Sequence, residues 1–325
     1  MQKKKISIVI PCYRSSQTVT YVVERIQETV REHQEFDYEI ILVNDGSPDE
    51  TFDVIAEAAE KWDNIIAVDL SRNFGQHSAL LAGYSVVSGD YVLGMDDDGE
   101  HDPKDMFKLV EKLEEGYDYV CAKFPSTDHS LYKRLGSKLN NWMATKFVGK
   151  PADAIFSSYY IMRRYIVDHI VTSPNPRPYI GGMIVAVTKR LSYVEIEHHT
   201  RRAGKSSYNL KKSIALWVNG ITAYSVKPLR LATAVGGGFS VIGLIWTITL
   251  VVRKLLNPDM AAGYTSLMSM MLILGGINIT LIGLVGEYIG RVYIMENRIP
   301  PFIIRNVVKS ADKTTPKEEP EEDAK

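Results

Sequence analysis

Short apolar runs alternate with longer amphipathic ones through the N-terminal third of the chain. Ile6 to Pro11 is a continuous β-branched run, as expected of a strand buried on both faces. Thr18 to His33 has helical periodicity, Tyr38 to Val43 is a second strand, and Pro48 with its acidic neighbours opens a helix running to Trp62. Ile65 to Asp69 predicts a third strand and Gln76 to Val87 a third helix. The run from Asp90 predicts a fourth strand that ends in Asp96, Asp97 and Asp98, and His101-Asp102-Pro103 opens a fourth helix to about Glu115. This alternation argues for an α/β fold, a mostly parallel, Rossmann-like sheet with helices on both faces. Function in such sheets gathers at the carboxyl ends of the strands. Pro11-Cys12-Tyr13, Asn44-Asp45-Gly46, Ser71-Arg72-Asn73 and the aspartates all fall there.

The pattern changes downstream. Residues 130–150 read as a basic amphipathic helix, and 209–226 as another, with Leu210, Ile214, Trp217, Ile221 and Tyr224 on one stripe. Leu231 to Val252 carries no charge, nor does Thr265 to Gly286. Each run is long enough to cross a core of ~30 Å at ~1.5 Å per residue. Two buried helices of a water-soluble domain are the alternative. Basic residues flanking the pair outnumber the two in its turn, Arg253 and Lys254, which places the N-terminal domain in the cytoplasm. The expected organisation is a catalytic domain over 1–208, a juxtamembrane helix over 209–228, a two-helix hairpin over 229–290, an arm over 291–308 along the membrane or onto a neighbouring subunit, and a disordered charged tail over 309–325.

Composition narrows the class. Thirty-eight basic against 39 acidic residues leave no net field to attract nucleic acid. Cys12 and Cys121 lie inside apolar runs and suit buried, reduced thiols. No secretory signal precedes the first strand.

The candidate chemistry starts at the aspartates. Within a strand Asp96 and Asp98 would project to the same face, and paired carboxylates repel unless a cation neutralises them. A hard divalent ion takes one or two carboxylates and completes its shell with water and substrate phosphates. The arrangement reads as a metal clamp for a diphosphate. A solvated acidic turn is the bland alternative.

Ile-Val-Ile-Pro-Cys-Tyr, Val-Asn-Asp-Gly-Ser, Ser-Arg-Asn-Phe-Gly-Gln and Met-Asp-Asp-Asp-Gly-Glu-His, in that order, resemble the inverting GT-A-fold glycosyltransferases of family 2. Arg201 to Tyr208, then Ser225 to Arg230 and two uncharged runs, narrow the resemblance to the polyprenyl-phosphate glycosyltransferases, the dolichol-phosphate mannose synthase type with its bacterial undecaprenyl-phosphate branch. The resemblance implies that Pro11, Tyr13, Asp45, Arg72, Gly75 and Asp97 bind the nucleotide. It implies that Asp96, Asp98 and Glu100 hold Mg²⁺ or Mn²⁺, and that Asp98 and Arg201 are catalytic. Lys123, Arg134, Arg201 and Ser206 would meet the acceptor phosphate. Glu100 departs from the family's usual Gln, Lys123 from its arginine, and Ser157-Ser158 from its Gly-Asp. The implied reaction moves a sugar from a nucleotide diphospho-sugar, UDP before GDP, to a polyprenyl phosphate at the cytoplasmic membrane, with inversion. Its lipid-linked product would serve cell-envelope glycan modification, and a homo-oligomer is a further expectation. Polysaccharide synthases carry Gln-x-x-Arg-Trp, which is absent from the chain. A non-catalytic scaffold assisting a flippase, or a transferase with another acceptor, is the competing reading. His77, His101, His198 and His199 are read as surface or capping residues.

Overall fold

The computed structural model describes residues 3–124, 155–172, 178–196, 227–256, 263–297 and 300–310. The chain divides into two compact units. The first is built on one eight-stranded sheet of β1 (Lys4–Cys12), β2 (Phe36–Asn44), β3 (Ile65–Leu70), β4 (Tyr91–Gly94), β5 (Tyr119–Lys123), β6 (Tyr160–Arg163), β7 (Leu191–Glu195) and β8 (Ile304–Lys309). Their order is β7-β5-β6-β4-β1-β2-β3-β8. The strands from β1 to β4 are parallel to their neighbours in that set, as β5 is to β7, whereas β6 and β8 run antiparallel. The sheet is thus mostly parallel, as expected.

Both faces of the central strands are covered, which explains their predominantly apolar runs. Ile6, Ile8, Ile10, Ile40 and Leu42 share one core with Val22, Val23 and Ile26 of α1 (Val19–Glu32) and Ile55 of α2 (Thr51–Lys61). Leu109, Val110 and Leu113 of α4 (Met106–Glu114) join the same core. On the opposite face α3 (Gln76–Tyr84) lies directly on the sheet, because Gly83 leaves room there. A Cβ at that position would stand 2.4 Å from Val9 Cγ1 and 3.1 Å from Val43 Cγ2. Two further helices, α5 (Arg164–Val171) and α6 (Ile180–Val187), follow β6. Cys12 and Cys121 are buried thiols, and the Cys121 thiol donates to the Ile155 carbonyl at 3.1 Å.

Two expectations need correction. The fourth strand stops at Gly94 instead of carrying through the aspartates. Its pairing with β6 ends at Gly94–Tyr160, and the Tyr160 ring occupies the space where a Cβ of residue 94 would sit, 2.4 Å from Cζ. Strand alternation therefore does not place Asp96 and Asp98. The second correction concerns residues 291–308. The long helix preceding them extends to Glu296, and Ile304–Lys309 pair with β3 of the same chain.

The second unit contains α7 (Lys227–Leu256) and α8 (Tyr264–Glu296), which pack on each other. The uncharged runs fall inside these helices. Thr233, Thr249 and Thr280 donate their hydroxyls to the carbonyls of Leu229, Ile245 and Gly276, one turn back. Counted over the described residues, no helix is long and apolar enough to cross a membrane. The two-span topology accordingly rests on the sequence. The amphipathic helices expected at 130–150 and 209–226, and the tail beyond residue 310, lie outside the described residues.

Candidate active site

The strand order reverses between β1 and β4, and the carboxyl ends of β1 to β4 converge there, the usual place for a ligand in an open α/β sheet. Gly46 follows β2 at φ +58°, a left-handed conformation that glycine adopts without cost. The backbone after β3 passes so close that a Cβ on residue 46 would stand 2.3 Å from the Arg72 carbonyl carbon. Asp45 fixes that approach. Its carboxylate accepts the amide hydrogens of Phe74 at 2.7 Å and Gly75 at 2.9 Å, while its carbonyl accepts Asn73 Nδ2 at 3.1 Å. Burial pushes the Asp45 carboxyl up, and the two amide bonds oppose that rise. Gly75, at φ +92°, turns the chain into α3. The Arg72 guanidinium lies over the Phe74 ring at 4.5 Å, and Tyr13 stands half exposed beyond β1.

The three aspartates occupy the turn after β4, and each is held differently. Asp96 Oδ1 accepts Gln76 Nε2 at 3.0 Å, and its amide donates to His101 Nδ1 at 3.3 Å. Asp97 accepts the Ser15 hydroxyl. Asp98 Oδ1 accepts the Glu100 amide at 3.0 Å across Gly99, which has φ +77°. The Asp97 carboxyl is pushed up to about 6, chiefly by burial, with the Asp96 and Asp98 charges adding to it against the Ser15 bond. Asp96 and Asp98 therefore each lie within electrostatic reach of Asp97. Among the described residues, no three His, Cys, Asp or Glu side chains form a group that could hold a metal ion. The expected trio of Asp96, Asp98 and Glu100 is not assembled. Two carboxylates still suit Mg²⁺ or Mn²⁺, which take hard oxygen donors and leave coordination positions to phosphate and water. Burial is the main cause of the raised Asp97 carboxyl, and the smaller contribution from the Asp96 and Asp98 charges is the part such an ion would offset.

Residues 7–170 match Glycosyl transferase family 2. The chain belongs to that family. Residues 227–292 of this family 2 enzyme match the GtrB C-terminal hairpin. An undecaprenyl-phosphate 4-deoxy-4-formamido-L-arabinose transferase from Photorhabdus laumondii is 33% identical over 310 residues, 94% of this chain and 95% of that one. One of the same name from Yersinia enterocolitica is 34% identical over 308 residues, 94% of either chain. Among solved structures, glucosyl-3-phosphoglycerate synthase from Mycobacterium tuberculosis, with Mn²⁺, UDP-glucose and phosphoglyceric acid, superimposes with a TM-score of 0.50 at 20% identity. That match covers 67% of this chain and 78% of the other and supports the GT-A-like fold. The protein is a glycosyltransferase of the polyprenyl-phosphate type.

In this transferase Pro11, Tyr13, Asp45, Arg72, Gly75, Asp96, Asp97 and Asp98 all lie at the carboxyl ends of β1 to β4. Lys123 lies elsewhere, at the end of β5, paired with Glu195 and set 4.7 Å over the Tyr193 ring. Arg134, Arg201 and Ser206 lie outside the described residues.

Several contacts were missed in the sequence. Ser15 and Gln76 hold the aspartates from other elements; Ser15 belongs to none of the quoted motifs, and Gln76 closes the Ser-Arg-Asn-Phe-Gly-Gln motif without having been assigned a role there. His101, read as a surface or capping residue, is buried between Phe124 and Tyr159, with ring centroids 5.7 and 4.8 Å away. His77 lies edge-on to Tyr179, and its buried Nδ1 has no hydrogen-bond partner among the described residues. Burial pushes the His77 imidazole down, toward the neutral form.

Proposed function

We propose that the protein transfers a sugar from a nucleotide diphospho-sugar, UDP-linked in preference to GDP-linked, to undecaprenyl phosphate at the cytoplasmic face of the membrane, with inversion. The observation that carries the reading is the gathering of Asp45, the Arg72 loop and three carboxylates at one switch point. Asp45 holds the loop after β3 in place before any ligand arrives, so the nucleotide meets a pre-shaped cleft. Tyr13 offers an exposed ring beside that cleft. Asp96 and Asp98 would hold Mg²⁺ or Mn²⁺, with Gln76 and the His101-bonded backbone orienting Asp96. The chemistry that ion supplies is neutralisation of charge on the departing diphosphate. The acceptor needs no strong base, because a phosphate monoester with a second pKa near ~6 is already largely ionised at neutral pH. Cationic side chains that position it carry the acceptor half, and we assign Arg201, Arg134 and Lys123 to that task, with the Ser206 hydroxyl as a neutral donor.

The acceptor follows from the relatives, which are named for undecaprenyl phosphate and align along 94% of this chain. The solved neighbour with UDP-glucose and Mn²⁺ supports the donor type and the ion class. Membrane insertion is supported by the outward faces of the two long helices. Ile242, Ile245 and Trp246 on one, and Ile279, Ile282 and Ile289 on the other, are 60% or more exposed, apolar surface that lipid would cover.

The test incubates full-length protein in detergent with undecaprenyl phosphate and radiolabelled UDP-glucose, UDP-N-acetylglucosamine, UDP-4-deoxy-4-formamido-arabinose or GDP-mannose, with Mg²⁺ or Mn²⁺. Label entering the organic phase with one donor is the expected result. No transfer from any donor would favour the scaffold reading.

A further inference from the structure

Strand β8 and the residue before it reach the loop after β3 at Ser71. Strand β8 pairs antiparallel with β3, Leu70 opposite Ile304 and Asp69 opposite Asn306, so Arg305 is the extra residue of a β-bulge. Bulges at a sheet edge re-aim a side chain. Here the guanidinium turns back onto the end of β3. Arg305 Nη2 donates to the Ser71 carbonyl at 2.6 Å, and Nη1 lies 3.4 Å from Asp69 Oδ2. The Ser71 amide donates to the Ile303 carbonyl at 2.9 Å. Both backbone polar groups of Ser71, one residue before Arg72, are therefore held by β8 and the residue that precedes it.

The contact continues inward. Asp69, almost fully buried, accepts Asn44 Nδ2 at 2.7 Å, and Asn44 Oδ1 accepts the Ser47 amide at 3.1 Å. Arg305 thereby bears on the loop after β3 and, through Asp69 and Asn44, on the loop after β2 that carries Asp45 and Gly46. We propose that Arg305 is a positioning residue for the nucleotide half of the site, setting the loop after β3 in the conformation that binds the donor diphosphate. The proposal rests on the nucleotide reading given above. Arg305 is itself exposed and touches no reacting atom, so its removal acts on donor affinity and not on the chemical step.

The experiment uses the full-length protein and measures UDP binding by calorimetry and initial rates against donor concentration. The variants are Arg305→Ala, Arg305→Lys and Val308→Ala. Val308 packs from β8 onto the core, so its truncation weakens the same strand without touching Ser71. For Arg305→Ala the expected result is a rise of about tenfold in the Kd for UDP and in the donor KM, equivalent to about 1.4 kcal/mol, with kcat within about twofold. Arg305→Lys keeps a charge but loses the fork and should recover part of that affinity. It also carries the test if the alanine variant does not fold. Val308→Ala should lower the thermal midpoint and leave KM in place. An Arg305→Ala enzyme with wild-type KM overturns the inference while the nucleotide site stands, as does a Val308→Ala enzyme whose KM rises equally. Absence of UDP and GDP binding in the wild type overturns the nucleotide reading, and this inference with it.

Discussion

Replacing Asp97 by Asn tests the electrostatics of the site most directly. The carboxyl of Asp97 titrates at about 6 instead of 3.8, mainly because it is buried, with Asp96 and Asp98 adding repulsion. A difference of roughly two pH units corresponds to about 3 kcal/mol at ~1.36 kcal/mol per unit. That is an upper bound, since Asp97 keeps some contact with solvent. The folded value lies above the unfolded one, so between these values the folded protein holds a proton that the unfolded chain has released. The contribution of Asp97 to stability is therefore greatest below about pH 3.8, falls as pH rises toward 6 and levels off above it. Asp97→Asn removes that loss. Thermal unfolding in detergent and EDTA should show the variant melting roughly 5 °C higher at pH 7.5, at ~2–4 °C per kcal/mol for a unit of this size. The gap should nearly close at pH 4. Adding Mg²⁺ at pH 7.5 should narrow it, because an ion on Asp96 and Asp98 compensates the charges that raise Asp97. A gap independent of pH, or a variant that melts below the wild type at pH 7.5, would refute the reasoning.

Three other outcomes are expected. Gly46→Ala places a Cβ 2.3 Å from the Arg72 carbonyl carbon at φ +58°. It should cost about 3 kcal/mol, read as a lower melting temperature together with lost UDP binding. Asp98→Ala should abolish transfer while moving the melting temperature little, and EDTA should abolish wild-type transfer reversibly; an active Asp98→Ala enzyme in the label-transfer assay would remove the clamp from the mechanism. Glu39, buried at the opposite end of the sheet, is pushed up by burial but held below 4.5 on balance by bonds from Lys5, Ser7 and Ser88. Its contribution is present above pH 4.5 and lost as pH falls through the folded value. Glu39→Gln should thus cost about 1–3 kcal/mol at neutral pH in denaturant melts, with kcat/KM unchanged.

The strand-helix alternation was legible because the sheet is covered on both faces. Ile8 to Ile10 and Ile40 to Val43 meet apolar neighbours on either side, and the one polar residue in the first run, Ser7, is buried with its hydroxyl bonded to Glu39. The loops after β2 and β3 were legible for a similar reason. Asp45-Gly46 and Arg72 to Gly75 are local turn signals, and a glycine at positive φ leaves its mark in the sequence wherever the backbone needs it.

The aspartate turn was less legible because its geometry is set by residues distant in the chain. The strand's pairing ends at Gly94–Tyr160, where the Tyr160 ring fills the space a side chain at 94 would need, and Tyr160 in turn contacts the Tyr84 hydroxyl on α3. No pattern between residues 90 and 98 reports a ring contributed from position 160. The same holds for Gln76 on Asp96 and Ser15 on Asp97: each is a single polar contact across the switch point, with no periodicity to announce it. Arg305 is the extreme case, a residue on the last strand acting on a loop that begins at residue 71. The residue types needed for the chemistry stand in local motifs. Their spatial arrangement depends on long-range contacts, and there the sequence alone misplaced the strand end and the C-terminal arm.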